Sequence, residues 1–192
     1  MMEKTPAGRK GSPRIDEAGW LAGARRVASP NRDARPDPDD ISLLVIHGIS
    51  LPPGRFGGPW IDALFTNTLD PAAHPYFAGI AALRVSAHLL IRRDGSLTQY
   101  VPFAQRAWHA GASSFLGRER CNDYSIGIEL EGSDEIAYTA KQYARLARIT
   151  QSITARYPKI TGARIVGHSD IAPGRKTDPG PAFDWARYRA LL

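Results

Sequence analysis

The chain has 192 residues, room for one well-packed domain and too few for two of ordinary size. Its one cysteine, Cys121, excludes an intrachain disulfide, and no apolar stretch approaches the roughly eighteen residues of a membrane span. The formal charge of +6 would steer an acidic ligand, but the basic residues are scattered and form no platform with aromatics, so neither nucleic acid nor membrane is an expected partner.

Residues 1–13 carry Lys4, Pro6, Gly8, Arg9, Lys10, Gly11 and Pro13 and almost nothing to bury. The expectation is a disordered basic tail, with residues 14–192 as a single domain. The tail lacks the apolar segment of a secretory signal, which points to the cytoplasm. After Asp16, the spacing of Trp20, Leu21 and Ala24 predicts a packed helical turn, and residues 29–40 read as loop.

Residues 41–46 are apolar and largely β-branched, the signature of a buried central strand, and they end at His47. LPPGRFGGPW (51–60) has too many glycines and prolines for regular structure and reads as a long active loop or lid. A short helix is expected at 60–65, loop at 70–77, and a strand at 85–91. Asp94-Gly95 turns that strand into a partner at 97–101.

Residues 107–123 are a glycine-rich connection. In YSIGIELE (124–131), Ile126, Ile128 and Leu130 share one face and Gly127, Glu129 and Glu131 the other, as in a strand with a core face and a cleft face. Thr139 and Gln142 form a capping box for a helix running to about Tyr157, stopped by Pro158. A short strand at 164–167 delivers His168, and Asp184 caps a C-terminal helix that packs Trp185, Tyr188 and Leu192 inward. Strands alternating with helices, plus one antiparallel hairpin, predict an α/β fold with a mixed sheet flanked by helices.

Chemistry concentrates in GHSDIAPGRKTDPGP (167–181). Two strands end in histidine, at His47 and His168; as neighbours they would present both imidazoles at one sheet end. The proline- and glycine-rich loop can return Asp178 to them. Two histidines, one carboxylate and an open fourth position match a catalytic zinc site, whereas structural sites are closed and rich in cysteine. The metal would lower the pKa of bound water to about 7. A base is then needed; the alternation offers Glu129 and Glu131 equally. Lys176 is placed to stabilise a negative oxygen. Metal-assisted hydrolysis of an amide is the reaction class. Cys121 and the mid-strand His88 read as packed side chains, and His74 has no assignment.

From about Gly19 to the C-terminus, HGISLPPGRFGGPWIDALF, HPYFAGIAALRVSAHLLIRRDG, YVPF, RAWHAG, GRERCNDYSIGIELEG and GHSDIAPGRKTDPGPAFDW together resemble the AmpD-type N-acetylmuramoyl-L-alanine amidases, relatives of the peptidoglycan recognition proteins. The resemblance implies a zinc amidase that cuts between the lactyl group of anhydro-N-acetylmuramic acid and L-alanine in cell-wall muropeptides. It implies His47, His168 and Asp178 as zinc ligands, Glu129 rather than Glu131 as general base, and Lys176 as transition-state stabiliser. Arg84 and Arg120 would contact substrate carboxylates, with Trp108 and His109 lining the cleft. It also implies a role in peptidoglycan recycling, with influence on β-lactamase induction; a monomer is the expectation. The chain departs from the pattern in carrying Gly48 where relatives commonly have asparagine, and in its longer basic tail. The alternative is a muramyl-peptide binding module on the same fold without catalysis.

Overall fold

The computed structural model describes residues 12–192. The tail expected at 1–13 lies almost wholly outside them; Ser12, at its end, reaches Gln151 at 3.4 Å. The strands are β1 (Arg25–Arg26), β2 (Arg32–Ala34), β3 (Leu43–Ile49), β4 (Leu89–Ile91), β5 (Leu97–Gln99), β6 (Gln105–Ala107), β7 (Ser114–Phe115), β8 (Arg118–Glu119), β9 (Ser125–Glu131) and β10 (Ile165–Gly167). The α-helices are α1 (Trp60–Phe65), α2 (Pro75–Ala78), α3 (Ala140–Arg156), α4 (His168–Ile171) and α5 (Trp185–Ala190).

Among the described residues, six strands form the central sheet in the order β1-β5-β4-β9-β3-β10. Strand β9 runs parallel to β3 and β4, and β10 runs parallel to β3. Within this sheet the one antiparallel pair, β4 with β5, is the hairpin signalled by Asp94-Gly95, and Gly95 has the positive φ its turn needs. The sheet is therefore mixed, as expected.

Alternation divides the two faces. Leu44 and Ile46 of β3 and Ile126, Ile128 and Leu130 of β9 join Leu146, Ile149 and Ile153 of α3 and Tyr188 of α5 in one core. The capping box starts α3: Thr139 Oγ1 accepts from the Gln142 N–H, and Gln142 Oε1 accepts from the Thr139 N–H. On the opposite face, Leu43 and Val45 pack on Ala110, Cys121, Tyr124 and Ile171. Beside them α1 and α2 cover Leu90, Tyr100 and Val101. Residues on both faces of β3 are buried because helices and loops cover both sides of its parallel run.

Five local expectations need correction. The loop expected at 70–77 gives way to α2 from Pro75, capped by His74. Residues 14–24 bury Leu21 but are not helical. Ile15 bridges Leu21 in a tight turn, and Gly19, at φ +91°, passes so close to Phe103 that a Cβ would lie 2.6 Å from its nitrogen. The loop at 29–40 contains β2, which pairs with β6. Only the end of 85–91 joins the sheet as β4, while the Ser86 N–H donates to the Trp108 carbonyl. At the C-terminus Tyr188 is buried, but Leu192 is exposed.

Candidate metal centre and its pocket

Strands β3, β9 and β10 run parallel and end together, so the residues at their carboxyl ends share one edge. That is where open α/β sheets place their ligands. His47 lies in β3 on the face opposite α3, with Val45 and Leu43 two and four residues before it. His168 directly follows β10, whose Gly167 pairs with Ile46, so the two imidazoles meet. Their ring centroids are 4.4 Å apart. Asp178 returns on the loop after α4, and the Ser169 N–H donates to its carbonyl at 3.0 Å.

The three donors converge. His47 Nδ1 lies 3.0 Å from His168 Nδ1, and Asp178 Oδ2 lies 3.2 Å from the first and 3.1 Å from the second. His168 Nε2 faces the Ala110 carbonyl at 3.2 Å. A carbonyl only accepts, so the ring proton sits on Nε2 and Nδ1 turns a bare lone pair inward. A lone pair and a carboxylate oxygen pressed this close call for a cation. At bond lengths of about 2.0–2.1 Å the corners of a tetrahedral zinc lie about 3.3 Å apart, close to the edges of this triangle. The donor set thus fits the implied metal.

Electrostatics agrees. Burial pushes the His47 pKa down to about 4, against the pull of Asp178, so the ring is neutral and able to ligate. For Asp178 burial works upward, but the His168 and His47 rings against it prevail and hold the carboxyl well below its usual range. Glu129 has no such partners. Burial first, and the Asp178 charge second, push its pKa well above the ordinary carboxylate value, while Lys176 opposes. Its Oε2 is buried without a hydrogen-bond partner.

These groups open onto a cavity of about 610 Å³ lined by His47, Glu129, Trp108, His109, Lys176 and Asp178, with an apolar wall from Tyr76 to Val85. Glu131, which the alternation could not separate from Glu129, is absent from that lining. Its carboxylate accepts from Arg92 Nη1 at 2.9 Å, from the Gly57 N–H at 2.7 Å and from the Arg93 N–H at 3.3 Å. It anchors the 51–60 loop rather than facing the cavity.

Arg84 and Arg120 stand outside the cavity. The Arg84 guanidinium folds back on the carbonyls of Ala82 and Leu83. Arg120, with φ +59°, pairs with Asp123 at 3.0 Å and borders a separate cleft. His88 is structural, as expected: its Nδ1 accepts from the Gly127 N–H at 3.0 Å and its Nε2 donates to the Gln105 carbonyl. His74 caps α2 by accepting the Tyr76 N–H. Cys121 is buried. Sequence reasoning missed Tyr138, whose hydroxyl donates to the Pro179 carbonyl, next to Asp178, at 2.9 Å. Gly48 and Gly132 leave it room, for a Cβ on either would lie within 2.4 Å of its side chain. The glycines were visible in sequence; their common neighbour was not.

Comparison with known proteins gives a consistent picture. Residues 37–181 match the Amidase_2 family model, N-acetylmuramoyl-L-alanine amidase. The chain is 69% identical over 178 residues to the 1,6-anhydro-N-acetylmuramyl-L-alanine amidase AmpD of Citrobacter freundii, covering 93% of this chain and 94% of that protein. It is 67% identical to the AmpD of Escherichia coli K12, over 92% and 96%. A crystal structure of a selenomethionine AmpD derivative superposes with a TM-score of 0.90 at 68% identity, covering 93% of this chain and 98% of that one. The Escherichia coli amidase AmiD, solved with anhydro-N-acetylmuramic acid-L-Ala-D-gamma-Glu-L-Lys, superposes with a TM-score of 0.57 at 30% identity, over 92% and 65%.

Proposed function

This chain belongs to the N-acetylmuramoyl-L-alanine amidase family, and on that footing we propose that it hydrolyses the amide joining the lactyl group of 1,6-anhydro-N-acetylmuramic acid to L-alanine in muropeptides. The observation that carries the reading is the convergence of His47 Nδ1, His168 Nδ1 and Asp178 Oδ2 beside the buried, unpartnered carboxyl of Glu129. His47, His168 and Asp178 would hold a zinc ion, which would supply Lewis acidity and lower the pKa of a bound water to about 7.

The side chains do the rest. Glu129, whose burial raises its proton affinity, takes the proton of the attacking water on its carboxylate. It then hands a proton to the departing L-alanine nitrogen. A C–O bond forms, the C–N bond breaks, and the products are a lactyl carboxylate and the ammonium group of L-alanine, which keeps both protons of the water. The Lys176 ammonium, at the cavity mouth, balances the charge that gathers on the carbonyl oxygen. Trp108 and the apolar wall take the sugar, and Arg84 and Arg120 meet the peptide carboxylates by swinging from their present contacts. One domain, residues 14–192, carries the activity as a monomer in the cytoplasm. There it serves peptidoglycan recycling and removes muropeptides that induce β-lactamase. No described helix is long and apolar enough to cross a membrane.

The test is peptide release from anhydromuramyl-tripeptide, followed by chromatography and mass spectrometry, before and after chelation and zinc return. Release that chelation abolishes and zinc restores is expected. A protein that binds the muropeptide but releases no peptide with zinc present is a binding module instead. Whole sacculi as a parallel substrate separate recycling from wall cleavage.

A further inference from the structure

We propose that His109 is a positioning residue for the metal centre: its hydrogen bond to His47 dictates which His47 nitrogen faces the other ligands. The inference rests on the reading of His47, His168 and Asp178 as metal ligands. His47 turns Nδ1 toward His168 and Asp178, and its Nε2 lies 2.9 Å from His109 Nδ1. For Nδ1 to offer a lone pair, the ring must carry its proton on Nε2, and that proton needs an acceptor. His109 Nδ1 is the acceptor, which obliges His109 to hold its own proton on Nε2. That nitrogen faces Ser125 Oγ at 3.1 Å. The two rings meet edge to face at 85°, with centroids 4.9 Å apart.

The placement of His109 is built in from two sides. Asn122 Oδ1 accepts from the backbone N–H of His109 at 3.0 Å and of Ala110 at 2.8 Å. Beneath the ring lies Gly127, where a Cβ would come within 2.5 Å of the imidazole. Gly127 has no positive φ, so what its missing side chain supplies is space. The next residue completes the arrangement, since the Ala110 carbonyl takes the outer N–H of His168. One two-residue segment, suspended from Asn122, thereby orients both histidine rings. For His168 the outer partner is the usual backbone carbonyl; for His47 it is a neutral imidazole, which makes the tautomer of one residue depend on that of the next.

The experiment compares His109→Gln with His109→Met, side chains of similar size of which only the first keeps a strong acceptor. Zinc affinity is read on the full chain by competition with a chromophoric chelator, and the cobalt(II) spectrum reports the ligand field. His109→Gln should bind zinc close to the wild-type affinity, and His109→Met should bind it about 10–100-fold more weakly. Long-range proton–nitrogen correlation on the zinc-loaded wild type should find the His47 proton on Nε2. Equal affinities for the two variants, or a His47 proton on Nδ1, overturn the inference and leave the ligand set standing. A wild type that retains no zinc sinks the ligand reading itself, and the inference falls with it.

Discussion

His47 and Glu129 are paired in register across the parallel strands β3 and β9, and both stand on the sheet face that looks away from α3. Neighbouring strands lie about 4.8 Å apart, so this pairing fixes the Glu129 carboxyl one strand spacing from His47. No loop has to close to bring it there. Glu129→Gln preserves the shape and removes the proton acceptor. Turnover should fall by about 10²–10⁴-fold, while zinc content, measured by atomic absorption after dialysis, stays at the wild-type level. Near-normal turnover would remove Glu129 from the reaction.

Glu131 is expected to behave differently, because its carboxylate is occupied by Arg92, Arg93 and Gly57. Glu131→Ala strips the 51–60 loop of its anchor and leaves the largely buried Arg92 guanidinium without this partner. Breaking a buried pair of this kind costs about 3–5 kcal/mol. A lowered melting temperature is expected, together with faster tryptic cleavage at Arg55 within the released loop. Cleavage at the wild-type rate would show the loop to be held by other contacts.

The contrast between these two glutamates marks where the sequence stops being legible. Alternation correctly put both on the face opposite Ile126, Ile128 and Leu130, because period-two facing is a property of the local backbone. Which of them met the cavity depended on Arg92 and Gly57, 39 and 74 residues away. The meeting of His47 and His168 was legible because both lie toward the carboxyl ends of buried strands, and the capping box of α3 because its partners are three residues apart. Residues 14–24 failed in the other direction. Their apolar spacing suits a helix turn, but Gly19 must pass beneath the Phe103 backbone, a contact no local pattern encodes. Strands β1 and β2 are two and three residues long and exist through pairing with β5 and β6.

Lys176 is exposed at the mouth of the cavity and has no part in the core, so its substitution tests chemistry with little structural cost. Lys176→Met keeps the length of the chain and deletes the charge. Transition-state stabilisation of this type is worth about 3 kcal/mol, or roughly 10²-fold in turnover. The loss should appear in kcat with zinc affinity unchanged, and a loss confined to KM would reassign Lys176 to substrate binding.

Asp178 is the anionic member of the proposed ligand triangle: burial pushes its carboxyl up, but the neighbouring His168 and His47 rings prevail and hold it well below its usual range. Asp178→Asn retains the size and removes the charge that a divalent cation needs. Zinc retention through dialysis should fall to a small fraction of wild type. The backbone around it should persist, because the Ser169 N–H and the Tyr138 hydroxyl bind carbonyls that the substitution leaves in place. Full occupancy in this variant would strike Asp178 from the ligand set.

Acid should destabilise the fold through His88. This ring is fully buried, and its pKa lies well below the ordinary 6.5 because burial, and then the Arg35 charge, disfavour the cation, against a hydrogen bond to the Gln105 carbonyl. In the unfolded chain the same ring takes up a proton as pH falls through about 6.5, whereas the folded ring stays neutral. The unfolded state therefore binds more protons below that point, and stability falls with pH at up to about 1.4 kcal/mol per pH unit for this one group. The stabilisation is complete above about pH 6.5 and is lost progressively as the solution is acidified toward the folded-state value. Denaturant melts of the zinc-free protein at pH 7.5, 6.5 and 5.5 measure the slope. His88→Gln removes the titrating group, so the variant should be less stable at pH 7.5 yet lose less on acidification, and the two curves should converge. A variant whose stability fell in parallel with the wild type would show that other groups carry the acid response.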